Sequence, residues 1–167
     1  MKQLLNQEQL SRILKRMTHE IIERNSDLSQ IILVGVLKKG YPVALILKEN
    51  LIKFADIDVE IYPLDITLYR DDKVNRNPVH DNKLNVNEKH VILVDDVLFT
   101  GRSIRAAMDA LNDYGRPKSI QLAVLIDRGH RELPIRADYI GKNIPTSKLE
   151  KVLVDPNLEV LLIDESE

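Results

Sequence analysis

Hydrophobic positions recur along the chain at two periods, and the change from one to the other marks out its elements. Leu10, Ile13, Leu14, Met17 and Ile21 stand at helical spacing, which predicts a helix over Gln7 to Asn25 with charge on its other face. Ile31 to Val36 is an unbroken, β-branched apolar run ended by a glycine-containing loop, the pattern of a first core strand. Val43 to Phe54 reads as a second helix. Val59 to Leu68 reads as extended in two pieces around Pro63, because proline lacks the ladder donor. From Tyr69 to His90 the pattern lapses into Asn, Asp, Lys and Pro, a long polar loop of the kind that serves function in a compact domain. Val91-Ile92-Leu93-Val94 has no polar alternation and predicts a parallel strand buried on both faces. Ile104, Ala107, Met108 and Leu111 form another helical stripe, ended by Gly115 and Pro117. Ser119 to Ile126 is a further apolar strand, and Leu153 to Val154 with Leu158 to Ile163 are short final strands.

Strands alternating with helices predict an α/β fold, a mainly parallel twisted sheet flanked by helices, in one domain across residues 1–167. A chain of 167 residues, 44% apolar and 30% charged, supports one core and is ordinary for a soluble protein. No apolar run is long enough to span a bilayer, and the amino terminus MKQLLNQEQL lacks the hydrophobic stretch of a secretory signal. A cytoplasmic protein without a membrane partner is expected. The absence of cysteine excludes disulfides, thiolate zinc sites and cysteine nucleophiles. A net charge of −2 provides no global attraction to nucleic acid, so such a contact would need a local basic patch. Two segments offer one. Arg12, Lys15, Arg16 and His19 follow i, i+3, i+4, i+7 spacing opposite the apolar face of the first helix, and Asp127 to Lys148 carries Arg128, His130, Arg131, Arg136, Lys142 and Lys148 against Glu132 and Asp138.

The densest chemistry is Val91 to Ser103, VILVDDVLFTGRS. Its apolar run is closed by Asp95 and Asp96, and open α/β sheets bind ligands at the carboxyl ends of their strands. Carboxylates there suit vicinal hydroxyls or a hydrated Mg²⁺. Thr100, Gly101, Arg102 and Ser103 offer hydroxyls, backbone N–H groups and a cation to a phosphate at the positive end of the following helix. A second phosphate cradle is expected after the first strand, at Leu37-Lys38-Lys39-Gly40. Arg70, at the base of the polar loop, is a candidate to meet pyrophosphate. No Ser-His-Asp constellation is needed for transfer of an activated sugar, which depends on positioning and on neutralising the leaving group.

Val91 to Ser103 resembles the phosphoribosyl pyrophosphate (PRPP) signature of type I phosphoribosyltransferases. By that resemblance Asp95 and Asp96 hold the ribose hydroxyls, Thr100, Gly101, Arg102 and Ser103 hold the 5′-phosphate, and Val97, Leu98 and Phe99 lie along the same nucleotide site. Three more blocks, His19 to Asn25, Asp65 to Asp72 and Asp127 to Lys148, resemble the PyrR family, bacterial pyrimidine operon attenuators that are also uracil phosphoribosyltransferases. The resemblance runs over nearly the whole chain. It implies a type I phosphoribosyltransferase fold with a small hood formed by terminal segments, and conversion of uracil and PRPP to UMP and pyrophosphate with Mg²⁺. It also implies binding of a leader mRNA hairpin promoted by UMP or UTP, and a homodimer or larger homo-oligomer. Carried over, Arg16, His19, His130, Arg131, Arg136 and Lys142 contact RNA, while Arg128 and the backbone near Val152 lie by the base.

Two departures from the family pattern stand out. Its pyrophosphate loop usually reads Lys-Thr-Arg-Gly, whereas Leu37-Lys38-Lys39-Gly40 lacks the arginine fork, which a lysine point charge does not reproduce. Lys15 stands where threonine commonly precedes the RNA arginine. The first departure predicts a weakened transferase. A base-salvage phosphoribosyltransferase without an RNA role and a non-catalytic nucleotide sensor stay open as alternatives, and the basic block from Asp127 to Lys148 is what argues for the attenuator.

Overall fold

The structure is a computed structural model that describes residues 1–70, 84–157 and 159–164. Its elements are β1 (Lys2–Leu5), α1 (Gln7–Arg24), β2 (Ile31–Val36), α2 (Gly40–Ala55), β3 (Glu60–Leu64), β4 (His90–Leu98), α3 (Arg102–Asn112), β5 (Ser119–Asp127), β6 (Tyr139–Asn143), β7 (Glu150–Asp155) and β8 (Glu159–Asp164). Short 3₁₀ turns sit at Leu28–Gln30 and Thr67–Tyr69. Five strands pair in parallel in the order β3-β2-β4-β5-β6, which puts β4 in the middle. The remaining three form an antiparallel hood, β1-β8-β7.

The α/β architecture and the hood built from the two ends of the chain follow the sequence expectation. Hood residues Leu5, Val152, Val154 and Val160 share a core with Leu10, Leu14 and Met17 of α1 and with Ile92, Val94 and Leu125 of the central strands. The opposite face of the sheet packs against the alanine-rich side of α3. Helix α1 starts where expected because Asn6 and Gln9 form a reciprocal capping box, each side chain accepting from the other's backbone N–H at 2.9 Å.

Several boundaries differ, each for a tertiary or local reason. Strand β4 does not stop at Val94; it runs on through Asp95 and Asp96 to Leu98 because β5 continues beside it, pairing Asp95 with Val124 and Leu98 with Asp127. Helix α2 begins at Gly40, ahead of Val43, and Pro42 fits its first turn, where no N–H donor is needed. Extended structure ends at Leu64; Asp65 Oδ1 accepts from Thr67 N at 2.9 Å and winds the Thr67–Tyr69 turn instead. Pro63 is accommodated because β3 is an edge strand. Two strands escape the sequence pattern. Strand β1 is short and pairs with β8 at the far end of the chain, and β6 lies inside the basic block. The expected strand start at Leu158, and residues 71–83 of the expected polar loop, lie outside the described residues. Leu84 and Val86, also assigned to that loop, are buried core.

Candidate functional site

The carboxyl end of β4 gathers the candidate residues from three directions. Asp95 is 7% exposed and Asp96 half-buried, and each accepts from the next backbone N–H at 2.8 Å, Asp95 Oδ1 from Asp96 N and Asp96 Oδ1 from Val97 N. Burial pushes the Asp95 carboxyl well above the ordinary carboxylate range, and the neighbouring Asp96 charge adds to the rise. The positive charge of Arg70 acts in the opposite direction on the same group, so Arg70 lies within electrostatic reach of Asp95. A site that holds two carboxylates this tightly is poised for a ligand that brings cations or hydroxyl donors.

Gly101 takes φ +97° as the N-cap of α3, a left-handed conformation that suits glycine, and this turns the chain from β4 into the helix. The first turn of α3 thereby turns its backbone N–H groups toward the end of β4, beside Thr100 and Ser103. Thr100 Oγ1 accepts from Arg102 N at 3.3 Å, and the Arg102 guanidinium reaches Glu132 at 3.3 Å across the loop. The Leu37-Lys38-Lys39-Gly40 turn meets the same strand. Gly40 is buried so close to β4 that a Cβ there would stand 2.3 Å from the Val94 carbonyl oxygen and 2.9 Å from Asp95 Cα. Lys38 and Lys39 are exposed at the same edge, and the Leu37–Lys38 peptide is cis. Two helix N-termini, those of α2 and α3, therefore converge on the Asp95-Asp96 pair.

Arg128 builds the side of the site that faces the hood. It is 8% exposed; its Nε donates to Thr146 Oγ1 at 2.8 Å and its Nη2 to the carbonyls of Ser147 at 3.1 Å and Glu150 at 2.5 Å. The guanidinium also lies 4.0 Å from the centroid of the Phe99 ring. Arg128 thus joins the end of β5 to the hood strand that carries Val152. A cavity of about 350 Å³ opens next to it, lined by Phe99, Thr100, His130, Arg131, Glu132 and Lys148.

The six residues expected at RNA fall into separate places. Arg16 donates to the carbonyl of Gly141 and to that of Ile140 at 3.3 Å, so α1 is pinned to β6 beside the exposed Lys142. Arg16 also pairs with Glu20 at 2.5 Å, Arg12 pairs with Glu8, and the His19 ring lies 4.8 Å from that of Phe54. His130 and Arg131 instead line the cavity beside Phe99. The His130 Nε2 meets the Thr146 carbonyl; since a carbonyl only accepts, that nitrogen carries its proton. Arg131 bonds the Phe99 carbonyl at 3.0 Å and Asp127 Oδ2 at 2.5 Å. Arg136 is exposed ahead of β6.

A larger cavity, about 420 Å³, lies at the amino ends of β4 and β5 among Arg24, Asn25, His90, Lys118 and Gln121. Its polar groups largely satisfy one another: Tyr139 donates to Gln121 Oε1 at 2.5 Å, Asn25 Nδ2 to the Tyr139 hydroxyl at 3.2 Å, and Arg24 to Asp138 at 2.9 Å. Sequence reasoning missed this buried triad, and it missed the bond from the Tyr69 hydroxyl to Asp113 that ties the base of the polar segment to α3. An aromatic residue at the edge of a polar stretch was the one local signal for the latter. Among the described residues no cluster of three or more carboxylate, histidine or cysteine side chains could cage a metal, and no helix is long and apolar enough to cross a membrane.

Residues 1–159 match the family described as the phosphoribosyl transferase domain. The bifunctional protein pyrR of Enterococcus faecalis is 54% identical over 158 residues, which covers 92% of this chain and 89% of that one. The bifunctional protein PyrR of Clostridioides difficile is 51% identical over 157 residues, covering 91% and 89%. Among solved structures, a hypoxanthine-guanine phosphoribosyltransferase from Bacillus anthracis is similar with a TM-score of 0.69 at 26% identity, over 87% of this chain and 83% of that one. A hypoxanthine phosphoribosyltransferase from Trypanosoma cruzi, in complex with the product IMP, shares the fold with a TM-score of 0.72 at 21% identity, over 89% and 78%.

Proposed function

The chain belongs to the phosphoribosyl transferase family, and within it to the bifunctional PyrR proteins; from that membership we infer a uridine-nucleotide-responsive regulator of pyrimidine operon transcription that also converts uracil and PRPP to UMP and pyrophosphate. The observation that carries the chemistry is the convergence of two helix N-termini on the Asp95-Asp96 end of β4. In this reading the first turn of α3, with Thr100, Gly101, Arg102 and Ser103, binds the 5′-phosphate. Asp95 and Asp96 accept the ribose hydroxyls, and Lys38, Lys39 and Gly40, with Arg70 beside them, receive the pyrophosphate. Uracil sits between Phe99 and the hood near Val152, in a pocket whose shape Arg128 maintains. The bond from ribose C1 to the pyrophosphate oxygen breaks as the bond from C1 to uracil N1 forms, the N1 proton is released to the departing pyrophosphate or to solvent, and the chain contributes position and charge, with no covalent step of its own.

Two adjacent carboxylates, with no third metal-ligating side chain grouped with them among the described residues, suit Mg²⁺, which keeps most of its waters and binds through one or two carboxylates plus substrate phosphates. Asp95 and Asp96 would hold it with PRPP, and bound there it would neutralise the pyrophosphate. On the RNA side, Arg16 and Lys142 share the junction where α1 meets β6, His19 lies further along α1 against Phe54 of α2, and Arg136 precedes β6. His130 and Arg131 adjoin the nucleotide cavity, so UMP or UTP bound there would bear directly on them. A homodimer or larger assembly that pairs two such faces completes the proposal.

Titration of a leader hairpin with and without UMP tests the regulator: UMP should tighten binding, and binding that ignores both UMP and hairpin sequence would sink that half. For the enzyme, UMP formation should require PRPP and Mg²⁺, and Asp96→Asn should lose about 10²-fold in kcat/KM. Wild-type protein that binds PRPP yet releases no pyrophosphate with uracil would sink the other half.

A further inference from the structure

Tyr69 is an aromatic residue placed with unusual care for a position at the edge of a polar stretch. It is 6% exposed, and its ring packs in the core that includes Ala106, Ala107 and Ala110 of α3. Apolar packing of that kind needs only a ring. Its hydroxyl nevertheless donates to Asp113 Oδ2 at the C-cap of α3. Asp113 is itself the wrong sign for that place: the carbonyl end of a helix favours cations, and α3 has no basic residue in its last turn. The carboxylate therefore does nothing for the helix, and the bond to Tyr69 is what its side chain makes.

The consequence lies one residue further on. Tyr69 ends a turn held at its start by Asp65, whose Oδ1 accepts from Thr67 N at 2.9 Å and Thr67 Oγ1 at 2.6 Å, and closed by Tyr69 N donating to Ile66 O at 2.9 Å. Arg70 follows directly, and consecutive Cα atoms are about 3.8 Å apart, so pinning Tyr69 pins the Arg70 backbone. Helix α3 supplies the ruler. Its N-terminal turn is the phosphate cradle at Gly101 to Ser103, and its far end, about 16 Å away at 1.5 Å per residue, is Asp113.

We propose that Tyr69 is a positioning residue for the transfer: anchored on Asp113, it holds Arg70 at a set place relative to the phosphate cradle at the other end of the same helix. This rests on the reading above that Arg70 meets pyrophosphate.

A double-mutant cycle decides it, with Tyr69→Phe, Arg70→Ala and the pair, read as kcat and KM for PRPP and as the affinity for UMP, which lacks pyrophosphate. Tyr69→Phe should lower kcat/KM for PRPP about tenfold, the order expected for losing a charge-assisted hydrogen bond, and should leave UMP affinity unchanged. Asp113→Ala should reproduce it, and in the Arg70→Ala background Tyr69→Phe should change nothing further. An equal loss with and without Arg70, or a parallel loss of UMP affinity, would overturn the proposal by making Tyr69 merely structural. A wild-type value for Tyr69→Phe would overturn it outright. If Arg70→Ala itself behaves as wild type, the pyrophosphate role of Arg70 has failed, and this proposal falls with it. Should the wild-type protein make no UMP, the same cycle read as PRPP affinity by calorimetry keeps the two failures apart.

Discussion

Gly40 packs so tightly against Asp95 that a Cβ at position 40 would come within 2.9 Å of the Asp95 Cα. The turn that ends at Gly40 and the carboxylate pair are thus packed as one unit, with the start of α2 laid directly on the end of β4. Neither can move without the other.

Substitution at that contact should therefore damage both stability and ligand binding. Gly40→Ala has backbone atoms on the far side of the clash, which cannot swing away, and overpacking of this kind costs about 1–3 kcal/mol. Chemical denaturation should show that loss, and calorimetry should show weaker PRPP binding. Wild-type values for both would mean that the cradle is not held by this packing.

Restoring the family's pyrophosphate loop should strengthen transfer. Leu37→Lys, Lys38→Thr and Lys39→Arg together exchange a point charge for a guanidinium fork that can bind phosphate oxygens through two parallel bonds. A gain of about tenfold in kcat/KM for PRPP is expected, with hairpin affinity unchanged in the absence of nucleotide. Activity that did not rise would clear the loop of blame for a weak enzyme.

The junction of α1 with β6 gives a salt-dependent prediction. If Arg16 and Lys142 each meet an RNA phosphate, replacing either by alanine should reduce the slope of log affinity against log salt by about one. Arg16→Ala also removes the bond to the Gly141 carbonyl, so its melting temperature must be compared with that of Lys142→Ala. An unchanged slope in Lys142→Ala, where no such bond is lost, would remove this face from the interface.

Tyr139 should make the fold sensitive to alkali. Burial raises its phenol pKa above the usual value near 10, so the native state favours the neutral ring; that contribution is present below pH 10 and is lost as pH rises through the higher native pKa. Denaturant melts from pH 8 to 11 should fall more steeply for wild type than for Tyr139→Phe. At neutral pH the variant should cost about 1–3 kcal/mol, because Gln121 and Asn25 lose a buried partner. Parallel curves would show that other groups govern the alkaline limb.

The carboxylate pair and the Thr100 to Ser103 cradle were legible in the sequence because they are contiguous, and a βα turn places contiguous residues together by local geometry alone. The basic residues were legible as types and illegible as groups. Arg16 and His130 look alike in the chain, yet one fastens α1 to β6 and the other meets the Thr146 carbonyl beside the Phe99 cavity. Strand β6 went unseen because its residues carry neither alternation nor an apolar run; what makes Tyr139 to Asn143 a strand is the edge of β5 waiting beside it.

Hydrophobic period and local motif thus determined the helices, the central strands, the α/β class and the carboxylate pair near the end of β4, all of which depend on residues near one another in the chain. Tertiary structure alone decided which distant pieces share a site. Gly40 against Asp95, Arg128 beneath the hood, Tyr69 on Asp113 and the Asn25-Gln121-Tyr139 triad join residues whose separation in sequence carries no periodic trace. Each is settled by steric exclusion or by the need to pair a buried polar group, and those constraints exist only once the chain has closed around them.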